Sequence, residues 1–261
     1  YTTLFRSLSW YNPVESLLFE MDRNGVDCAL LVQMGGEYDN TYQFRCMEQH
    51  PGRFASVVLV DPEDPEAPDQ LETLAKRGAT GVRLPANARS PGADPYAIWR
   101  TAEALGLVVS CPGGTATLTN EAFAELVETV PDLKIMIEHL GGVKQRDDPE
   151  PPYPLAASVF ALARYPNLIM KIHGLGEFAL RKMPVSGFPF EEPLPPYFEM
   201  VYEAFGPDRM VWGSDYPPVS AREGYANALS LARDQLRAKP ADAIDRIFGG
   251  NALAMFPALN G

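Results

Sequence analysis

From Gly25 onward the apolar positions fall into two alternating rhythms. Short runs rich in β-branched residues occupy 27–33, 54–60, 80–84, 107–111, 134–139, 168–173 and 210–215, and amphipathic stretches at 38–49, 65–77, 95–105, 120–130, 155–164, 196–205 and 221–236 lie between and after them. Such alternation predicts βα units wrapped around a parallel sheet. A further helix is predicted at 13–24, and another after Asn251, which is a suitable N-cap. Seven strand runs are one short of a closed barrel, and no run precedes the helix at 13–24. The expected fold is therefore α/β, a (β/α)8 TIM barrel truncated so that strand 1 is missing. An open doubly wound sheet is the alternative, but no GxGxxG or GxxxxGK motif follows the first run.

Residues 1–7, Tyr-Thr-Thr-Leu-Phe-Arg-Ser, read as a translated sequencing adapter and are set aside as an artefact. Residues 8–261 are then expected to form one barrel domain, a length that single α/β barrels commonly reach. The chain carries 22 basic against 34 acidic residues, a formal charge of -12. That balance argues against nucleic acid as partner, because sequence-independent affinity for phosphates needs clusters of Lys and Arg. Apolar runs stay well short of the roughly 20 residues of a membrane span. Three cysteines without CxxC spacing point to a reducing, cytoplasmic setting. A homo-oligomer is left open.

Candidate chemistry gathers at the carboxyl ends of the predicted strands, where a barrel builds its site. Cys111, His139, His173 and Asp215 each end a run. Alternation places Ile135, Ile137 and His139 on one face of their strand, and Val211, Gly213 and Asp215 on one face of theirs, with both polar tips directed into the barrel mouth. An imidazole and a carboxylate converging there can share a divalent metal or exchange a proton. The structural alternatives are a hydrogen-bonded buried histidine and a turn residue before Pro217. Lys171 shares a face with His173 one layer deeper, and serves either a structural ion pair or a substrate carboxylate. Arg83 offers a bidentate fork for a substrate carboxylate, or a salt bridge. His50, before Pro51 and Gly52, fits a helix C-terminus and is assigned no chemistry. Two long connections, 143–154 and 181–196, follow strands, and their Phe188 and Phe190, with Tyr197 just beyond, either line a pocket or cover helices. No Gly-x-Ser-x-Gly elbow is present.

In order and spacing, several segments together resemble the amidohydrolase-related metal-dependent hydrolases, the branch that holds aminocarboxymuconate semialdehyde decarboxylase and several lactonases. They are Asp-Arg-Asn-Gly-Val-Asp-Cys-Ala-Leu-Leu-Val-Gln at 22–33, His-Pro-Gly-Arg-Phe at 50–54, Gly-Val-Arg-Leu at 81–84, Glu-His-Leu-Gly-Gly at 138–142, Trp-Gly-Ser-Asp-Tyr-Pro at 212–217 and Gly-Gly-Asn-Ala at 249–252. The resemblance implies a barrel using a divalent ion, zinc above all. It implies that His139 activates water or steadies the transition state and that Asp215 is a metal ligand and proton acceptor. The family's His-x-His pair belongs to the strand missing here, and Cys111 stands where metal-binding members carry histidine, either as a thiolate ligand or as the mark of lost metal affinity. The implied reaction is water attack on a lactone of a sugar acid or dicarboxylic acid, so the implied partner is a small carboxylate or lactone. The alternatives are decarboxylation or hydration of an unsaturated acid, and a barrel without catalysis.

Overall fold

The computed structural model describes residues 12–183 and 187–259. The adapter reading of residues 1–7 lies outside the described residues. Seven parallel strands pair in chain order: β1 (Ala29–Val32), β2 (Phe54–Val58), β3 (Ala79–Arg83), β4 (Val108–Cys111), β5 (Ile135–Ile137), β6 (Leu168–Ile172) and β7 (Met210–Trp212). Among the described residues β7 and β1 do not pair with each other, so the architecture is a (β/α)8 barrel open at one strand position. The helices follow as the periodicity predicts. They are α1 (Val14–Arg23), α2 (Thr41–Gln49), α3 (Ala67–Lys76), α4 (Ala97–Ala104), α5 (Thr115–Leu118), α6 (Glu121–Thr129), α7 (Pro154–Phe160), α8 (Tyr197–Phe205), α9 (Tyr225–Gln235), α10 (Ala241–Asp245) and α11 (Asn251–Met255).

Two of these elements were not foreseen. α5 spans a single turn, too short for a period to show, and α10 runs into a π turn over Arg246–Gly250. That π turn also corrects the expected role of Asn251. Its backbone is already helical, and its side-chain amide donates instead to the carbonyls of Pro207 and Met210, both at 2.7 Å, tying α11 to the start of β7. Asn120 does cap as its residue type favours: its Oδ1 accepts from the Phe123 amide at 2.8 Å.

The register fixes which residues face inward. In a parallel sheet paired residues point to the same side. Cys111, Ile137, Met170 and Met210 form one row, and all four are buried in the layer between sheet and helices. The alternate row, Ser110, Met136 and Ile169, points into the barrel. Met136 and Ile169 meet Val57, Val108 and Val211 there, and Phe256 and Leu259 close the amino end. Burial at roughly 25 cal/mol per Å2 of apolar surface makes this double layer the main stabilising term.

The open strand position leaves its mark on β1. β2 is buried at every residue, whereas every residue of β1 is only half-buried. A cavity of about 1250 Å3 runs along the seam from Asp27 and Leu259 at the amino end, past Leu30, Val32 and Val211, to His139 and Asp215 at the carboxyl end. α1 packs across the outside of the seam through Val14 and Met21, which join Cys46 of α2 and Tyr225 of α9 in one apolar cluster. No helix of the described residues is long and apolar enough to cross a membrane.

Candidate active site

Strand alternation carries inward-facing side chains up to the mouth and then stops, and the residues just beyond that point make the site. On β5 the inward residues are Met136 and Glu138, while Ile135 and Ile137 face the helices. The expectation that Ile135, Ile137 and His139 share one inward face is thus corrected. His139 reaches the mouth because its backbone turns left-handed, with φ 52, and Leu140, Gly141 and Gly142 continue at φ 54, 65 and 76. Two successive non-glycine residues at positive φ are costly, on the order of 1–3 kcal/mol each, and persist only where the surroundings impose them. The Gly-Gly pair makes the turn feasible: a Cβ on Gly141 would lie 2.5 Å from Cγ1 of Val159. Asp215 also sits at φ 55 beyond β7.

Glu138, which the sequence reading passed over, is the anchor of the mouth. Its carboxylate accepts a two-pronged bond from Arg83, Nε to Oε1 at 2.9 Å and Nη2 to Oε2 at 2.8 Å, and a further bond from the Ser110 hydroxyl at 2.7 Å. Burial alone would raise its pKa, but Arg83, Lys171 and the Ser110 hydroxyl hold it below the usual carboxylate value. Arg83 was expected to fork onto a substrate carboxylate. The structure gives that fork a protein partner, and its remaining Nη1 donates to the Gln33 carbonyl at 3.3 Å.

Opposite this pair, His139 Nε2 lies 3.8 Å from Asp215 Oδ1 and 3.7 Å from Glu138 Oε2. Burial first, then the fields of Lys171 and other cations, press the His139 pKa well below its ordinary value, so the ring is neutral. Burial raises the Asp215 pKa against the opposing pull of Lys171 and Arg222. Arg222 donates to Asp215 Oδ2 at 2.8 Å and also bonds Glu177, leaving Asp215 Oδ1 free of it. Glu177, four residues past His173 in a short 3-10 turn, is held below its usual pKa, despite burial, by its hydrogen bond from Lys144 at 2.6 Å and by nearby cations.

The remaining candidates separate cleanly. Lys171 points into the cavity from β6 as expected, and it crosses beneath Gly213, where a Cβ would lie 2.5 Å from its Cε. Among the described residues no carboxylate lies within ion-pair distance of its ammonium, so of its two readings the structural ion pair is not realised. His173 is fully buried beneath His139, their ring centroids 5.4 Å apart. Cys111 is corrected as a mouth residue. Its side chain belongs to the helix-facing row, and burial, with the Glu138 charge, pushes its thiol well above the ordinary value, which disfavours a thiolate ligand. The long connections cover helices: Tyr197 is fully buried, its hydroxyl donating to the Asp148 carbonyl at 2.9 Å, and Phe190 packs beside Phe188 away from the cavity. Pro184, counted in the second connection, lies outside the described residues.

A divalent ion fits the donors at the mouth, though not the set first expected. One ligand atom from each of His139, Glu177 and Asp215 lies within 4.8 Å of the others. A neutral imidazole and a carboxylate oxygen 3.8 Å apart suit one ion with bonds of about 2.0–2.2 Å. Glu177, whose oxygens also accept from Lys144 and Arg222, completes this group of donors, whereas Cys111 faces the helices.

The family model described as Amidohydrolase matches residues 12–258. The chain belongs to the amidohydrolase family. A curated relative, 4-sulfomuconolactone hydrolase of Hydrogenophaga intermedia, is 28% identical over 203 residues, which are 75% of this chain and 60% of that protein. The match thus spans less than two thirds of that relative's length. Among solved structures, an amidohydrolase of Burkholderia multivorans with bound zinc superposes with a TM-score of 0.75 at 18% identity, covering 93% of this chain and 87% of the other. A putative 2-pyrone-4,6-dicarboxylic acid hydrolase of Pseudomonas putida superposes with a TM-score of 0.71 at 20% identity, covering 94% and 88%. Likenesses at that identity establish the shared barrel.

Proposed function

We propose that this amidohydrolase opens a small lactone that carries at least one carboxylate or sulfonate. The observation that carries the reading is the 3.8 Å approach of His139 Nε2 to Asp215 Oδ1 at the end of a cavity that also receives the unpaired Lys171. The curated relative's name, with its sulfonated lactone, supports the substrate class.

A water between His139 and Asp215 meets two groups able to take part in its activation. Asp215 is the proton acceptor. Its raised pKa makes it a stronger base than an ordinary carboxylate, and Arg222 on Oδ2 aims Oδ1 at the water. His139 holds the same water from the other side. Lys171 attracts the anionic substituent and steadies the negative charge that grows on the carbonyl oxygen in a site with little competing solvent. Arg83 acts at one remove, by keeping Glu138 ionised and in place. A divalent ion held by His139, Asp215 and Glu177 would supply Lewis acidity and lower the pKa of bound water.

The test is turnover of a panel of lactones bearing no, one or two anionic groups. Anionic lactones are expected to be opened, His139→Ala to lower kcat, and Lys171→Met to raise KM about 10- to 100-fold, the scale of one lost hydrogen bond to a charged group. Equal turnover of neutral lactones, activity unchanged in His139→Ala, or release of carbon dioxide from unsaturated acids without lactone opening would each overturn the proposal.

A further inference from the structure

The mouth contains a second histidine that the mechanism above leaves unused. His173 is fully buried, and its Nδ1 lies 2.8 Å from the carbonyl oxygen of Gly174. A carbonyl oxygen only accepts, so Nδ1 carries the proton, and in a neutral ring Nε2 is then a bare acceptor. That acceptor is buried without a hydrogen-bond partner, and so is Nδ1 of His139. The two rings are neighbours, centroids 5.4 Å apart and planes inclined by 36°. As placed, the two nitrogens are not hydrogen-bonded to each other, but at that centroid separation a rotation of the rings brings them within the roughly 3 Å of a hydrogen bond. Leaving both groups unpaired would cost on the order of 1–3 kcal/mol apiece, whereas one proton on His139 Nδ1 satisfies both.

We propose that His173 is a positioning residue: its Nε2 accepts the Nδ1 proton of His139 and so locks His139 in the tautomer whose Nε2 is bare. The chain of groups runs from the Gly174 carbonyl through His173 to His139, each proton placement fixing the next. It decides a point that residue types alone leave open. With Nε2 protonated, His139 would donate to Asp215 or to a substrate carbonyl. With Nε2 bare, His139 and Asp215 present two acceptors to one water, which can direct a proton to each while its lone pair faces the substrate. The same bare nitrogen is the one a metal ion requires. Arg222 competes for the role of donor, since its Nη2 is also buried and unpartnered, but its guanidinium is held by Asp215 and Glu177 while the His173 ring lies against His139.

The inference rests on the reading of His139 as a site residue, and its test is independent of turnover. The chain has only three histidines, so labelling them with 15N and recording long-range proton–nitrogen correlations resolves each ring's tautomer. The native protein is expected to show His139 and His173 both protonated on Nδ1. In His173→Phe, His139 should move to a mixture or to the Nε2-protonated form, and kcat should fall about 10- to 100-fold, the range typical of outer residues that orient a ligand, with KM nearly unchanged. His173→Gln, which can again offer an acceptor, should restore the Nδ1 form. A native His139 protonated on Nε2 overturns the proposal, as does a tautomer that His173→Phe leaves unchanged, which would assign His173 to Arg222. If the tautomer behaves as expected while His139→Ala keeps full activity, the functional reading fails and the positioning stands.

Discussion

Two carboxylates sit a few ångströms either side of His139, and the protein treats them in opposite ways. Glu138 is 2% exposed, has every oxygen engaged by Arg83 or Ser110, and is held below its ordinary pKa. Asp215 is 21% exposed, keeps one oxygen free of its arginine, and is pushed upward. A carboxylate that already accepts three hydrogen bonds, two of them from an arginine, has little basicity to offer, so it builds the wall. The partly bonded one keeps its basicity, at a strained backbone position that packing must sustain. Between these two carboxylates, hydrogen-bond saturation separates scaffold from chemistry more sharply than distance from the pocket does.

Substitution at the two positions should break the comparison most strongly. Asp215→Asn is nearly isosteric and can still accept from Arg222. Lactone turnover is expected to fall about 10²- to 10⁴-fold, the span of general-base catalysis, with unfolding free energy within about 1 kcal/mol of native. Glu138→Gln should show the reverse emphasis. It leaves the Arg83 guanidinium without its countercharge inside the barrel, and chemical denaturation should record a loss of about 3–5 kcal/mol. Should Glu138→Gln melt like the native protein while Asp215→Asn unfolds, the assignment of wall and base is inverted.

How far this site was legible beforehand depends on where strand periodicity ends. The seven strands and the helices that follow them stand out because each buries a face of fixed period, and Lys171 follows that period into the cavity. His139 and Asp215 were found as polar strand ends, but the face predicted for β5 was the wrong one, because left-handed residues reset the direction of the chain just where the site begins. Counting outward from Met136 would have flagged Glu138, a buried acid that demands a partner such as Arg83. Glu177 and Arg222 lie in irregular connections, where no period relates sequence position to side-chain direction, and only the fold brings them together.

Acid sharpens the comparison on its imidazole side. Burial depresses the His173 pKa from 6.5 to about 4. Between those values the unfolded chain binds a proton that the folded one refuses, so stability rises with pH and is lost as pH falls from 6.5 towards 4. At about 1.4 kcal/mol per unit the loss is about 3 kcal/mol. The depressed pKa of His139 adds a loss of the same sign from 6.5 downward, and those of Glu138 and Glu177 add only below their unfolded value of 4.5. Denaturation midpoints measured across this range should show a shallower slope between pH 6.5 and 4 in His173→Phe than in native protein, the remainder belonging to His139. Parallel slopes would place the titrating group elsewhere.

The smallest expected effect falls at Cys111, where a sulfur lies one residue along the strand from Ser110, which bonds Glu138, and yet faces the other side of the sheet. Parity isolates it from the mouth. Cys111→Ala removes a buried sulfur from a packed layer and should cost about 1 kcal/mol in denaturation, as a small core truncation does. Zinc affinity, measured by competition with a chromogenic chelator, should be unaltered if the ion is held by the proposed donors His139, Glu177 and Asp215. A tenfold weaker affinity in Cys111→Ala would mean that the thiol reaches the ion after all. The row running from Cys111 through Ile137 to Met210 would then have to turn over, and with it the inward placement of Glu138 and Lys171 on which the division between wall and base depends.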